Sequence, residues 1–187
     1  YEGWIRTLQH NEITGDELKD YISKDKYIVN VPVLHYENMI ISFGSKVFQN
    51  TEGTIPLSKN YDPDVLTDSA FRMLNVPYRW GGKSVMGIDC SAFVQLCAKI
   101  AGYKLPRDAS QQYDFGEDVT LSEALPGDIA FFENDNHSIV HVGILLSRNM
   151  IIHASGEVRI DAIDETGIFN NELNKYTHYL NKVKRLK

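Results

Sequence analysis

The hydrophobic positions change period along this chain. Up to about residue 60 they come in short β-branched bursts: Gly3-Trp4-Ile5, then Lys26 to Leu34, then Asn38 to Phe48. Gly, Asn and Pro cut these runs, which predicts short strands, with a single helical turn at Leu18 and Tyr21-Ile22 between them. Ser58 to Asp64 reads as a linker, with Asp62 as N-cap and Pro63 at the first position of a helix running to about Leu74. Phe93, Val94, Leu96, Cys97 and Ile100 predict a largely buried helix that Asp89 would cap, and a short helix follows near Ser110 to Tyr113. From Gly127 onward the pattern is strand-like. Ser138 to Leu146 and Met150 to Ser155 are apolar and β-branched around a turn at Ser147-Arg148-Asn149, so they predict adjacent antiparallel strands. Helices first and an antiparallel sheet after make the class α+β.

Composition narrows the partners. The 187 residues suit one domain or two small ones, and 43% hydrophobic with 24% charged residues is ordinary for a globular protein. A net charge of −6 argues against nucleic acid. The one basic cluster in the sequence, Lys182 to Lys187, reads as a solvated end strand. No apolar run nears the ~20 residues of a membrane-spanning helix. Opening on tyrosine, the chain reads as a processed or truncated product, and an upstream export signal stays open. Cys90 and Cys97 would lie ~10 Å apart on one helix, too far for a disulfide, and Cys97 reads as a small buried apolar residue.

Candidate chemistry gathers around Cys90. The glycine-rich stretch through Gly81-Gly82 and Gly87 leads into Asp89-Cys90-Ser91, which puts the thiol in the first turn of a capped helix. There the unpaired N–H groups and the helix dipole would favour thiolate. His141 and His153 lie on the two antiparallel strands, where they could be cross-strand neighbours. A cysteine facing one histidine that a second polar group orients is a thiol-peptidase arrangement. His137 and His141 share an i, i+4 spacing, but on a strand that spans ~13 Å, so no metal is assigned. His10, His35 and His178 have no partner in the sequence and read as surface or packing residues.

The chain resembles the NlpC family of papain-like cell-wall cysteine peptidases. The matching segments are Pro77-Tyr78-Arg79-Trp80-Gly81-Gly82, Asp89-Cys90-Ser91-Ala92-Phe93, Leu105-Pro106-Arg107-Asp108-Ala109-Ser110-Gln111-Gln112, Leu125-Pro126-Gly127-Asp128-Ile129, His141-Val142-Gly143-Ile144 and Ile152-His153-Ala154-Ser155. They occur in the family's order over roughly residues 62–187; Ala92, where glycine is commoner, is a small departure. The resemblance implies a papain-like catalytic domain over 61–187, with helices on an antiparallel sheet. Residues 1–60 look like bacterial SH3-like β material, on the cues Ile40 to Ser45 and Thr54 to Leu57. Its opening reads like the end of an earlier barrel.

The resemblance further implies hydrolysis of the γ-D-glutamyl–diamino acid bond of a peptidoglycan stem peptide, L-Ala-γ-D-Glu-diamino acid. Cys90 would be nucleophile, His141 base and His153 its orienter, with the Tyr78 hydroxyl beside the oxyanion. Asp89, Ser91, Trp80 and Arg107 would line the substrate site. Asp89 and Ser91 would receive the peptide's amino end. Trp80 reads equally as a core aromatic, and Arg107 most simply as the ion-pair partner of Asp108. No cofactor is expected, and a monomer in the bacterial cell envelope is, with a cytoplasmic recycling enzyme as the other location. Two rival readings stand beside this one: a catalytically silent wall-binding module, and a lipid acyltransferase or hydrolase of the same superfamily. The order of cysteine before histidine is the peptidase order.

Overall fold

The computed structural model describes residues 12–187. The strand expected at Gly3-Trp4-Ile5 and the residue His10 lie outside them. Thr14 and Glu17 form a reciprocal capping box that starts α1 (Gly15–Ser23), a nine-residue helix where a single turn was expected. The N-terminal strands are β1 (Tyr27–Val29), β2 (Val33–Tyr36), β3 (Met39–Ser42), β4 (Lys46–Val47) and β5 (Thr54–Pro56). They make a three-stranded sheet in the order β4-β1-β5 and a separate β2–β3 hairpin. The run from Lys26 to Leu34 is thus two strands, broken before Pro32.

This small β region shares its core with the rest of the chain. Ile28 and Phe43 are buried in one cluster with Leu66, Phe93, Leu96, Ile129 and Val142. Lys99 reaches across to donate to the Gly44 carbonyl at 2.6 Å, and Ser69 Oγ donates to Asn30 Oδ1 at 3.1 Å. Asp62 caps α2 (Pro63–Phe71) as expected, accepting from the Asp64 and Val65 amides, although the helix ends three residues early. A two-stranded turn, β6 (Lys83–Ser84) with β7 (Gly87–Ile88), leads into α3 (Cys90–Ile100), and α4 (Ala109–Gln112) comes next.

The remaining strands are β8 (Glu117–Val119), β9 (Ile129–Glu133), β10 (Ile139–Ser147), β11 (Met150–Ser155), β12 (Glu157–Ile163), β13 (Gly167–Asn170) and β14 (Lys175–Arg185). Their order is β13-β12-β11-β10-β9-β14-β8, and β13 also pairs with β14. That extra pairing closes six antiparallel strands into a barrel, a step beyond the antiparallel sheet expected, and leaves β8 as an outer flap. The two faces have separate cores. Val142, Ile144, Ile152 and Ala154 face α3, whereas Phe132, Leu145, Ile151 and Ile168 fill the barrel. Phe93, Val94 and Leu96 of α3 are almost fully buried. At about 1.5–3 kcal/mol for each such side chain, their burial fixes the helix, and with it Cys90, on the barrel.

Charge is distributed differently from the linear reading. The C-terminal basic run is not a solvated end strand: up to Arg185 it lies in β14 between β9 and β8, it buries Val183, Lys184 and Leu186, and it pairs Lys182 and Lys184 with Asp118 and Arg185 with Asp128. The fold assembles a second basic cluster that the sequence scatters. Lys46, Lys59, Lys83, Lys99 and Lys104 line one cleft of about 520 Å³ beside α3.

Candidate active site

Cys90 is the first residue of α3. Asp89, in extended conformation, accepts the Ala92 amide at 2.8 Å and so fixes the helix start. The thiol borders a cavity of about 550 Å³ that Tyr78, Trp80, Asp89, Ser91 and Arg107 also line, with Ile139 and Val140 opposite. Every substrate-site residue expected from sequence therefore meets Cys90 at one place. Tyr78 is held by its amide donating to Gly156 at 2.8 Å. Burial, then the neighbouring Cys90 and Asp89, raise its pKa, so its hydroxyl stays a donor. Trp80 is 86% exposed at the cavity mouth and is not a core aromatic.

Arg107 does not pair with Asp108 as the simplest reading held. It grips Asp89 with both nitrogens, at 3.0 Å and 2.5 Å, and also reaches Ser91 Oγ at 2.9 Å. Asp89 further accepts from the Gly81 amide at 2.9 Å and the Ser91 hydroxyl at 3.2 Å. Burial works against the Asp89 charge, but Arg107 and the Ala92 and Gly81 amides outweigh it and hold the carboxyl below its usual range. The planar fork matches a carboxylate in a way a neighbour along the chain rarely can.

Behind the cavity wall the two histidines are joined. Gly143 pairs with His153 across β10 and β11, and a Cβ on Gly143 would come within 2.8 Å of the His153 Cβ. Glycine there lets the strands close so that His141 Nε2 and His153 Nδ1 meet at 2.8 Å. His153 Nε2 then meets Asp161 Oδ2 at 2.9 Å, and Arg159 binds both oxygens of Asp161, at 2.8 Å and 3.1 Å. The ionised carboxylate only accepts, so His153 carries its proton on Nε2 and accepts at Nδ1. His141 must donate from Nε2, which leaves its Nδ1 as the basic atom. His141 and His153 are buried, and burial, then His178 and His153, push the His141 pKa well below the ordinary value. His141 is therefore a neutral imidazole.

Cys90 departs from expectation. Burial first, and the Asp89 charge second, raise its pKa; the amides of Val142, Ser91 and Cys90 itself oppose this without overcoming it. The helix start does not deliver a resting thiolate, because the desolvation cost of the anion exceeds what three amides return. The Val142 amide that reaches the sulfur is one residue past His141. Among the described residues no hydrogen bond joins Cys90 to His141; such contacts often tighten only when substrate binds.

Sequence reasoning missed Asp161, Arg159 and His178. The first two had a faint signal, since alternation along β12 places Arg159 and Asp161 on the same face as Ile163. His178 had none. It lies on β14 and stacks on His141, with ring centroids 4.0 Å apart and planes 26° apart, so its reading as a partnerless residue is corrected.

A thiol at a capped helix start, above a carboxylate-anchored imidazole pair on an antiparallel barrel, is the equipment of a cysteine hydrolase. The chain belongs to the NlpC/P60 family, whose model matches residues 75–177. It is 32% identical over 158 residues to the gamma-D-glutamyl-L-lysine dipeptidyl-peptidase of Bacillus subtilis (strain 168), covering 79% of this chain and 52% of that protein. It is 38% identical over 92 residues to the probable endopeptidase NlpC of Escherichia coli (strain K12), covering 48% and 60%. The crystal structure of an NlpC/P60 family protein from Bacillus cereus ATCC 10987 has the same fold, with a TM-score of 0.71 at 20% identity over 91% of this chain and 66% of that one. The chain thus spans between about a fifth and three fifths of the length of these and other curated relatives it matches.

Proposed function

We propose that the chain is a cysteine peptidase that hydrolyses the γ-D-glutamyl–diamino acid bond of peptidoglycan stem peptides in the bacterial envelope. The observation that carries the reading is the Cys90 cavity backed by the His141–His153–Asp161 chain. Cys90 Sγ attacks the scissile carbonyl carbon as its proton passes to His141 Nδ1. The carbonyl π pair moves onto oxygen, where the Cys90 amide and the Tyr78 hydroxyl donate to the oxyanion. Collapse expels the amine of the diamino acid, which takes the proton from His141, and leaves a thioester. Water then attacks the thioester with His141 again accepting the proton, and the thiol is restored as the γ-D-glutamyl product leaves.

The cavity's charge supports a short zwitterionic peptide. Asp89 suits a free L-alanine ammonium, and Arg107 a carboxylate of the same substrate, with Ser91 between them and Trp80 at the mouth. Residues 61–187 form the peptidase part in this reading, and the β region before it serves as an SH3-like wall that shares its core.

The test is mass spectrometry of L-Ala-γ-D-Glu-diamino acid tripeptides, free or N-acetylated, after incubation with the protein. Cleavage at the γ-glutamyl bond is expected, with the acetylated peptide slower. Cys90→Ala and His141→Ala should each lower turnover about a thousandfold or more while remaining folded, because nucleophile and base act as one unit. Near-normal cleavage by Cys90→Ala would overturn the mechanism, and wall binding without cleavage by the intact chain would favour a silent binding module.

A further inference from the structure

We propose that His141, His153 and His178 bind a divalent transition-metal cation such as Zn²⁺, at a site whose occupation disables the base invoked above. The three side chains come from β10, β11 and β14 and meet because the barrel closes. Each offers one ring nitrogen, and these atoms all lie within 4.8 Å of one another. His141 and His153 are buried and His178 is half-buried, so the set is built into the barrel and has one more open side. His153 stands nearly perpendicular to His141 and His178, at 87° and 84°, while those two are stacked, so His178 must swing out of the stack to bring a lone pair onto an ion shared with His141.

The donor set selects the ion. Three imidazoles suit zinc, copper or nickel, whereas Mg²⁺ and Ca²⁺ need oxygen ligands that the set lacks. Asp161 adds the outer partner that a metal-binding histidine ordinarily has, accepting the His153 Nε2 proton and fixing Nδ1 as the lone-pair atom. His178 Nδ1 is held by Thr177 Oγ1 at 2.9 Å, which favours Nε2 as its ligand atom. At Zn–N distances of 2.0–2.1 Å in a tetrahedron, ligand nitrogens sit about 3.3 Å apart. The hydrogen-bonded pair at 2.8 Å must therefore open slightly and His178 close in, with water completing the shell.

Proton balance gives the consequence. The proton on His141 Nε2 must leave before that atom can coordinate. It moves to Nδ1 as the metal takes the Nε2 lone pair, so His141 keeps no free lone pair and cannot take the Cys90 proton. The inhibitory part of this inference rests on the proposed function; the binding part does not.

Calorimetric titration of full-chain Cys90→Ala with Zn²⁺ tests binding where no active-site thiol can serve as ligand and no turnover is needed. One ion per chain is expected. In the same background His178→Phe, or His178→Gln should the first fail to fold, should weaken binding by about 100-fold or more. Losing a ligand must cost more than the 10–100-fold of losing an outer partner, which is the effect expected for Asp161→Asn. The Co²⁺ form should show tetrahedral d–d bands without a thiolate charge-transfer band. In the protein with Cys90 intact, Zn²⁺ should stop tripeptide cleavage reversibly with EDTA, and His178→Phe should resist it relative to its own metal-free rate. Absent binding to Cys90→Ala, or unchanged affinity after replacement of His178, overturns the site. An inactive chain that still binds Zn²⁺ through His178 overturns only the functional reading.

Discussion

Asp161→Asn isolates what the carboxylate does for the imidazole pair. Asp161 Oδ2 takes two donors, His153 Nε2 at 2.9 Å and Arg159 Nε at 2.8 Å, while Oδ1 takes one. Asparagine is nearly isosteric, and donor counting puts its oxygen at the Oδ2 position, where His153 can still donate. The lost property is charge. As His141 accepts the thiol proton, the new positive charge no longer faces an anion through His153. Hydrogen bonds to charged groups are worth about 1.5–3 kcal/mol, so kcat should fall by about 10- to 100-fold. KM should change little, because Asp161 lies behind the wall and does not line the cavity. The amide group also meets an Arg159 donor, so melting temperature must be followed alongside. The discriminating measurement is the pH profile of tripeptide cleavage: a less basic His141 moves the acid limb of kcat to lower pH, which a merely loosened barrel would not do. A kcat within twofold of the parent with an unmoved limb would refute the relay.

Two further outcomes come from buried titrating groups. Iodoacetamide should label Cys90 and spare the fully buried Cys97 in the folded protein, with a Cys90 rate that climbs through alkaline pH because both thiols are raised; fast, pH-independent labelling near pH 6, read by peptide mass spectrometry, would mean a resting thiolate–imidazolium pair instead. His178 is lowered to about 4, by burial first and then by His153. From the ordinary histidine value near 6.5 down to that value the unfolded chain binds a proton that the folded one refuses. Stability is thus intact above that window and is lost as pH falls through it, by up to about 3 kcal/mol for this group. His141 is lowered in the same sense, whereas the Asp161 contribution is lost only below the ordinary aspartate range, so the windows separate. Denaturant unfolding of His178→Phe at pH 7 and pH 5 should show a smaller acid loss than the parent, and an equal loss would contradict a neutral buried His178.

What could be read from the sequence was whatever local chemistry decides. Asp62-Pro63 and Asp89 specify helix starts through caps only two or three residues away. The tight turn at Ser147 to Asn149 sets β10 against β11 and so brings His141 to His153. The N-terminal strands were legible as strands but not in their grouping, since Pro32 and the Gly44 turn divide runs that look continuous. Barrel closure depends on β14 meeting both β9 and β13 with register shifts in each ladder, and no local pattern encodes that. His178 over His141 was accordingly invisible, and Asp161 and Arg159 as buried and half-buried rather than solvent-facing charges had only the faint signal of alternation along β12. Packing between segments distant in sequence likewise decides why Arg107 chose Asp89 over adjacent Asp108, and why five dispersed lysines share one cleft. The thiol pKa shows the limit most sharply. Position at a helix start is a sequence property and favours the anion, but burial is a property of the folded whole and disfavours it, and for Cys90 the second wins. In the proposed mechanism such a thiol, next to a neutral imidazole, attacks the carbonyl as its proton leaves and does not rest as the anion.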